Sequence, residues 1–217
     1  MSELFVKICG LTRREDVEVA LGAGADALGF ILWPGSRRAV TPAHVASIAR
    51  DVPAGVLTVG VFVDASLDEI RAARDVAGLR AVQLHGSEPV SYAGALGGRV
   101  LRALGVEADG EFDAWPADVL MVVDAIDPVS RGGTGTTIDW TRAARMARRR
   151  RTLLAGGLTP ANVAEAVTTV RPYGVDVASG VEQAPGVKDA ARVRDFVAAA
   201  RAAAGTGIMG SRKGENA

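Results

Sequence analysis

Cysteine and histidine are scarce in this chain of 217 residues, which contains one cysteine and two histidines. A single cysteine cannot form an internal disulfide, and it cannot build a cysteine-rich metal site. The two histidines, His44 and His85, are a poor supply of ligands for zinc. The composition therefore argues against a disulfide-rich fold and predicts no metal site.

A net charge of one sign is also missing, and so are long apolar runs. The 25 basic and 25 acidic residues cancel, which argues against a nucleic-acid footprint spread over the domain. No stretch approaches the ~18 uninterrupted apolar residues of a membrane helix. Met1-Ser2-Glu3 lacks the basic and then apolar pattern of a signal peptide. We therefore expect a cytoplasmic protein with no nucleic-acid or membrane partner.

Short β-branched runs alternate with Ala-, Arg- and Glu-rich stretches along the chain, which is typical of a parallel sheet with helices outside. Eight such units in a chain of this length predict a single (β/α)8 barrel over residues 1–204. The Gly-rich, polar residues 205–217 are expected to form a disordered tail. A doubly wound open sheet is the alternative fold, but no G-x-G-x-x-G turn follows the first strand. The eight strands are predicted to begin near Leu4, Asp26, Val56, Arg80, Arg99, Val119, Thr152 and Gly174.

Seven helical segments are predicted, over 13–24, 41–51, 66–77, 87–97, 140–150, 160–171 and 189–203. Thr41-Pro42 and Thr159-Pro160 match an N-cap followed by proline at the first helical position. The segment 105–118 contains Asp109-Gly110 and Pro116, so we expect the fifth crossover to be short or irregular. The basic run at 148–151 is interpreted as a solvated helix end, favoured by the helix dipole, rather than as an anion site.

Side-chain alternation places polar groups inside the predicted barrel. Leu4, Val6 and Ile8 share one face of the first strand, and that apolar face should contact the helices. Lys7 and Cys9 then point inward together with Phe5. Gln83 and His85 share a face of the fourth strand, and Asp124 closes the sixth. These polar groups should collect at the carboxyl ends of the strands, where (β/α)8 enzymes place their active sites.

Cys9 and Asp124 are the candidates for proton transfer. A lone cysteine is often a small buried hydrophobe, but Cys9 stands directly before a strand-ending glycine and two residues after the inward Lys7. A nearby ammonium is expected to favour the thiolate and lower a pKa that is ordinarily about 8.5. The thiolate could serve as a nucleophile or as a general base. Asp124 ends an otherwise apolar strand, and burial there should raise its pKa so that it can donate a proton.

Three small-residue turns follow the last three barrel strands and suggest a phosphate site. They are Arg131-Gly132-Gly133-Thr134-Gly135-Thr136, Gly156-Gly157 and Ser179-Gly180. Backbone N–H groups in such turns can close on an anion, and the loops after strands seven and eight of these barrels commonly bind phosphate. After the second strand, Arg37 or Arg38 could clamp a carboxylate. His85 fits a core histidine and a site residue about equally well, and His44 is expected to be exposed.

Nine short motifs in this order resemble the phosphoribosylanthranilate isomerase family of tryptophan biosynthesis. The resemblance extends from Val6 to about Val197. Its motifs are Lys7-Ile8-Cys9-Gly10, Gly29-Phe30, Ser36-Arg37-Arg38, Val59-Gly60-Val61-Phe62, Gln83-Leu84-His85-Gly86, Asp124, Gly132-Gly133-Thr134-Gly135, Ala155-Gly156-Gly157-Leu158 and Asp176-Val177-Ala178-Ser179-Gly180-Val181-Glu182.

The resemblance implies an Amadori rearrangement of N-(5-phosphoribosyl)anthranilate to 1-(2-carboxyphenylamino)-1-deoxyribulose 5-phosphate. It assigns the general base to Cys9, the general acid to Asp124 and the contact with the anthranilate carboxylate to Arg38. It implies no cofactor and no metal, a small-molecule substrate as partner, and a monomer or homodimer. The expected substrate-binding residues are Lys7, Arg38, Gln83, His85, Gly133, Gly135, Gly157, Asp176, Ser179 and Gly180.

Two other functions compete with this one. A related isomerase of the histidine pathway, or a form serving both pathways, would have an aspartate at the end of the first strand and two phosphate sites, whereas Cys9 stands here. The second is a catalytically silent barrel that binds a sugar phosphate as a sensor or scaffold. Binding alone requires neither Cys9 nor Asp124, so the presence of both favours the enzyme.

Overall fold

The computed structural model describes residues 4–125 and 138–206. Eight parallel strands pair in chain order, and the last strand pairs with the first, so the sheet closes into a barrel. This closure confirms the (β/α)8 prediction and excludes the open doubly wound sheet. The strands are β1 Phe5–Ile8, β2 Ala27–Ile31, β3 Leu57–Phe62, β4 Ala81–Leu84, β5 Arg99–Gly105, β6 Leu120–Asp124, β7 Thr152–Leu154 and β8 Gly174–Val177. Each begins within one residue of its predicted start.

The helices of the described residues lie between successive strands and after the last one. They are α1 Arg14–Gly22, α2 Pro42–Ile48, α3 Leu67–Ala77, α4 Ser91–Leu96, α5 Asp109–Phe112, α6 Trp140–Ala147, α7 Val163–Val170 and α8 Ala190–Thr206. The fifth crossover is irregular as predicted, since it holds only a 3₁₀ turn, Val106–Ala108, and the single turn α5. Helix α8 runs two residues past the predicted end of the barrel, and the rest of the predicted tail lies outside the described residues. In the described part of the chain, none of the helices has both the length and the apolar character needed to cross a membrane.

The two predicted Thr-Pro helix starts have different outcomes. Thr41 caps α2 by accepting a hydrogen bond from the His44 N–H at 3.2 Å, and Pro42 is the first helical residue. The predicted start at Thr159-Pro160 is wrong, because α7 begins three residues later, after Asn162. The Asn162 amide accepts from the Thr159 N–H at 2.8 Å and donates to the Gly157 carbonyl at 3.0 Å. The Asn162 side chain thereby stabilises the segment as a turn, because an asparagine amide can form hydrogen bonds that a backbone group forms in other turns.

Two apolar layers enclose the polar groups of the barrel. The outer layer lies between strands and helices and contains fully buried Val6 and Ile8. The inner layer fills the lower barrel with small and branched side chains, and Phe5 packs against it. Lys7 alternates with Val6 and Ile8 and is fully buried inside the barrel. The predicted inward and outward faces of β1 are therefore confirmed.

The basic run is not a solvated helix end throughout, and that prediction is wrong for half-buried Arg150, whereas Arg149 is exposed. The Arg150 guanidinium donates to four backbone carbonyls of the fifth crossover, those of Phe112, Trp115, Pro116 and Val119. Arg149 pairs with Asp109 and Asp113 of the same segment. A crossover with little helix leaves backbone carbonyls without internal partners, and Arg150 supplies donors to four of them.

A small hairpin, which was not predicted, connects β8 to α8. It consists of a 3₁₀ turn, Ser179–Val181, followed by the antiparallel strands β9 Glu182–Ala184 and β10 Val187–Lys188. Pro185-Gly186 lies between the two strands, and this dipeptide is a turn signal that the sequence does contain. The hairpin brings Glu182 and Lys188 back over the end of the barrel.

Candidate active site

One pocket, with a cavity volume of about 100 Å³, lies at the carboxyl ends of the barrel strands. Most of the predicted site residues of the described segments line this pocket, and Lys7 lies buried in the barrel interior. The pocket residues that were predicted are Cys9, Arg38, Gln83, His85, Asp124, Gly157, Asp176, Ser179 and Gly180.

Cys9 follows β1 directly, and its N–H donates to the Val177 carbonyl at 2.8 Å. The thiol fits because residue 29 on the neighbouring strand is glycine. A Cβ added to Gly29 would lie 2.7 Å from the Cys9 Sγ atom. Burial raises the pKa of the Cys9 thiol, while Lys7 and Lys188 act in the opposite direction. The expectation that Lys7 brings this pKa below its ordinary value is therefore wrong, since the desolvation of the buried thiolate outweighs the attraction of the ammonium.

Lys7 forms a salt bridge with the Asp176 carboxylate, so its ammonium does not act on the Cys9 thiol alone. It lies opposite Asp176 in the β1–β8 register, and its Nζ atom donates to Asp176 Oδ2 at 2.7 Å. Burial opposes the ammonium, but the charge and hydrogen bond of Asp176, together with Cys9, raise the pKa of Lys7 to about 12. The positive charge of Lys7 is therefore permanent, and it sits below the pocket.

Gln83 and His85 form a polar pair on β4 and the residue after it. The Gln83 Nε2 atom lies 3.1 Å from His85 Nδ1. The amide donates and the imidazole accepts, so the remaining proton of the neutral ring is on Nε2. Burial and then the charge of Lys7 lower the pKa of His85 to about 4. His85 consequently lines the pocket as a neutral imidazole at physiological pH.

Asp124 ends β6 and lines the same pocket. Its Oδ1 atom accepts a hydrogen bond from the Ala125 N–H at 2.7 Å. Burial raises the pKa of Asp124, although the Ala125 N–H and Lys7 both favour the carboxylate. The predicted direction of this shift is confirmed. A carboxyl with a raised pKa retains a proton to higher pH than a solvated one, as a general acid requires.

Arg38 reaches the pocket from the loop after β2, and it already holds a carboxylate of the protein. Its Nε and Nη2 atoms donate to the two carboxylate oxygens of Glu182, each at 2.8 Å. Both side chains are largely buried, with 9% and 5% of their surfaces exposed. A guanidinium has five N–H groups, so the Nη1 side still offers donors to a ligand. Arg37, the neighbour considered with it, is exposed.

The small-residue turns after β7 and β8 meet at the pocket. A Cβ added to Gly180 would lie 1.8 Å from the Leu158 carbonyl oxygen, so the two loops can touch only because residue 180 is glycine. Gly157 has a φ of 65°, a left-handed conformation that favours glycine. Gly133 and Gly135, the predicted contribution of the loop after β6, lie outside the described residues.

Three pocket or pocket-supporting residues were not assigned a role from the sequence. Trp33 lines the pocket near Arg38. Glu182 and Lys188 are buried in the β9–β10 hairpin and contact Arg38 and the Cys9 backbone. Glu182 belongs to a motif that carries the resemblance. Its partner Arg38, however, is 144 residues away in the sequence, so the sequence alone does not show their contact. Across residues 4–125 and 138–206, no group of three or more His, Cys, Asp or Glu side chains is arranged to hold a metal ion.

A closed parallel barrel that gathers Cys9, His85, Asp124 and Asp176 around one pocket at the carboxyl ends of its strands has the architecture of a (β/α)8-barrel enzyme. The family model for N-(5′-phosphoribosyl)anthranilate (PRA) isomerase matches residues 6–199. This chain belongs to that family. The prediction that it is a PRA isomerase of tryptophan biosynthesis is thereby confirmed.

Individual relatives agree with the family match. The N-(5′-phosphoribosyl)anthranilate isomerase of Chromohalobacter salexigens is 49% identical over 202 residues, covering 91% of this chain and 94% of the relative. The crystal structure of phosphoribosyl anthranilate isomerase from Thermotoga maritima superposes with a TM-score of 0.84 at 35% identity, covering 92% of this chain and 99% of that one. A solved phosphoribosyl anthranilate isomerase in complex with reduced 1-(o-carboxyphenylamino)-1-deoxyribulose 5-phosphate gives a TM-score of 0.81 at 34% identity, with the same coverage.

Proposed function

We propose that the isomerisation runs by acid–base catalysis, with Asp124 as the general acid and Cys9 as the general base. Asp124 protonates the furanose ring oxygen, and the ring opens to a protonated imine. The Cys9 thiolate removes the C2′ proton to give an enolamine. Loss of the O2′ proton and protonation of C1′ then yield the ketose. The observation that carries this proposal is that Cys9 and Asp124 end different barrel strands and line the same pocket.

The electrostatics of the pocket support these roles. Asp124 has a raised pKa because it is buried, which favours the protonated form that donates. The Cys9 thiol also has a raised pKa, and a thiolate of higher pKa is a stronger base. Lys7 and Lys188 stabilise the thiolate once it forms. Each proton transfer by a positioned group contributes ~10²–10⁴ in rate.

The anthranilate half of the substrate is proposed to bind between Trp33 and Arg38. Glu182 uses the Nε side of the Arg38 guanidinium, which leaves the Nη1 and Nη2 hydrogens that point away from Glu182. That second fork matches a carboxylate. The Trp33 indole lines the pocket from the loop after β2, which also carries Arg38, and offers an apolar wall for the aromatic ring.

The ribose and phosphate are proposed to occupy the rest of the pocket. Gln83 Oε1 and Asp176 Oδ1 are buried acceptors with no hydrogen-bond partner in the described part of the chain, and sugar hydroxyls could supply the missing donors. The phosphate is proposed to bind at Gly157, Ser179 and Gly180, which line the pocket beside the Leu158 loop. Gly133 and Gly135 remain predicted phosphate contacts.

The test of this proposal is turnover by a Cys9→Ala variant, followed by the loss of anthranilate fluorescence. Turnover should disappear while the affinity for the reduced product stays close to that of the wild type, because the alanine removes the base and few binding contacts. A Cys9→Ala protein that retains a near wild-type rate refutes the assignment. A wild-type protein that binds the reduced product without turning over substrate would instead be the silent barrel.

The location and assembly of the protein also remain proposals. We place the reaction in the cytoplasm, where a lone free thiol such as Cys9 stays reduced. The chain is proposed to act as a monomer or homodimer with a small-molecule substrate and no nucleic-acid or membrane partner. Light scattering on the purified protein and fractionation of cells of the source organism test these two statements.

A further inference from the structure

Glu182 and Lys188 form a buried charged bridge behind the pocket wall. The Lys188 Nζ atom donates to Glu182 Oε1 at 3.0 Å, and Glu182 accepts both hydrogen bonds of Arg38. Both side chains are buried, with 0% of Lys188 and 5% of Glu182 exposed. Burying three charges is costly unless every one of them is paired. Buried ion pairs often contribute little net stability, which suggests that the charges have another use.

Lys188 also holds the backbone of the proposed general base. Its ammonium donates to the Cys9 carbonyl at 2.6 Å and to the Ala178 carbonyl at 2.9 Å, besides Glu182. These three acceptors use all three hydrogens of the ammonium, so Lys188 has none left for a ligand. The Cys9 N–H is fixed on the other side by Val177. The backbone of Cys9 is therefore held at both its donor and its acceptor.

Arg38 is held close to the same point of the backbone. A Cβ added to Gly10 would lie 2.6 Å from Arg38 Cδ, so the arginine stem packs directly on the residue after Cys9. Gly10 has a φ of 73°, which fits glycine. The guanidinium is then fixed in direction by its two bonds to Glu182. One bridge thus connects the carboxylate clamp to the thiol.

We propose that Glu182 and Lys188 are positioning residues of the isomerase: Glu182 orients Arg38 toward the substrate carboxylate, and Lys188 fixes Cys9 for proton abstraction. The proposal rests on the roles of Cys9 and Arg38 given above. Neither residue needs to touch the substrate. The β9–β10 hairpin that carries both is therefore part of the catalytic apparatus and not only a connection to α8.

The two halves of the bridge predict different kinetic effects. Glu182→Gln keeps the size of the side chain but removes its charge, so Arg38 loses its fixed direction. Affinity for the reduced product should fall about tenfold or more, while affinity for the analogue with phenylamino in place of carboxyphenylamino should change less than twofold. Lys188→Met removes the ammonium at similar volume. It should lower kcat at least tenfold and leave the affinity for the reduced product nearly unchanged.

The single cysteine provides a second readout for Lys188. Iodoacetamide can alkylate only Cys9 as a thiol in this chain, so the pH dependence of alkylation measures the pKa of that thiol. The charged groups facing it are Lys7 on β1, Arg38 from the loop after β2, Asp176 on β8 and Lys188 on β10. Lys188→Met removes one cation, and the alkylation curve should move to higher pH. A lysine whose charge does not act on Cys9 would leave the curve in place.

Matched controls separate positioning from loss of fold. Glu88 is an equally buried carboxylate that accepts from Arg102 and from the N–H groups of Asp64 and Gly86. Glu88→Gln should lower the melting temperature while changing kcat and KM less than about twofold. Arg192 donates to the backbone carbonyl of Glu182 at 2.7 Å, and Arg192→Met should likewise leave kcat unchanged.

Defined results overturn the proposal. A folded Glu182→Gln protein that loses affinity equally for both analogues, or for neither, shows that Glu182 does not orient Arg38. A folded Lys188→Met protein with unchanged kcat and an unchanged alkylation curve shows that Lys188 does not position Cys9. If Glu182→Gln does not fold, Glu182→Asp retains the charge at a shorter reach and should show the same selective loss. If Cys9→Ala proves active, the proposed function fails, while the binding comparison still decides the role of Glu182.

Discussion

The Nε2 atom of His85 lies 3.7 Å from Oδ2 of Asp124 across the top of the barrel. The imidazole is neutral because burial and Lys7 lower the pKa of His85 to about 4. No histidine cation therefore stabilises the Asp124 carboxylate. Asp124 stays easier to protonate than it would be beside an imidazolium, which suits a general acid.

Replacement of Asp124 by asparagine should lower kcat by ~10²–10⁴ with a modest change in KM, because an amide has nearly the same shape but cannot supply the proton. Steady-state kinetics measure both constants. A sharp rise in KM at constant kcat would identify Asp124 as a binding residue instead.

The pH profile sharpens this prediction. The ordinary pKa of the thiol lies above that of the carboxyl, and burial raises both. Between the two pKa values, each rise in pH that adds thiolate removes protonated Asp124, so wild-type kcat/KM should be level. In Asp124→Asn only the thiolate is needed, and the logarithm of the residual kcat/KM should rise with pH at a slope of about one. A level profile in the variant would contradict the pairing of Asp124 with Cys9.

The low pKa of His85 predicts a loss of stability in mild acid. The folded-state pKa is about 4, against 6.5 for the free side chain. As pH falls below 6.5, the unfolded chain takes up a proton that the folded chain does not bind until pH 4, so the free energy of unfolding falls across this window. The loss through this one group is about 2 kcal/mol at pH 5 relative to pH 8. Urea unfolding at the two pH values measures it.

Variants of the two histidines isolate this contribution. His85→Asn retains an acceptor for Gln83 and should reduce the stability difference between pH 8 and pH 5 by about 2 kcal/mol. His44 is exposed on α2, and His44→Asn is the matched control that should leave the difference unchanged. If both variants retain the wild-type difference, His85 is not the group that titrates.

The barrel was predictable from the sequence because its signals are local. A strand buried on both faces is a nearly continuous apolar run, and alternation within β1 placed Lys7 inside. The partners of the charged groups were not predictable. Asp176 is 169 residues from Lys7, and Glu182 is 144 residues from Arg38. The predicted direction of the Cys9 pKa shift was wrong for a similar reason, because the shift depends on burial that only the closed barrel produces.

Arg38→Lys should weaken binding of the anthranilate carboxylate by about 1.5–3 kcal/mol, the usual contribution of a hydrogen bond to a charged group. Lysine keeps the positive charge beside Glu182 but cannot bond two carboxylates through two forks. It is a cleaner change than alanine, which would leave buried Glu182 with only Lys188. Calorimetry with the reduced product measures the loss. Arg37→Lys at the exposed neighbour is the control, and a loss in Arg37→Lys alone would transfer the contact to Arg37.

The final prediction concerns the phosphate site proposed at Gly157. Its φ of 65° would strain a valine backbone, so a bulky β-branched residue would confuse loss of the site with loss of fold. Asparagine tolerates the left-handed region and still adds a side chain at the pocket wall. Gly157→Asn should weaken inorganic phosphate and the reduced product together, each by about tenfold or more, with a small change in melting temperature. Gly78 has a φ of 63° at the end of α3, and a Cβ there meets open space. Gly78→Asn is therefore the control for the backbone change and should bind phosphate normally. A folded Gly157→Asn protein with unchanged phosphate affinity would locate the anion site elsewhere in the pocket.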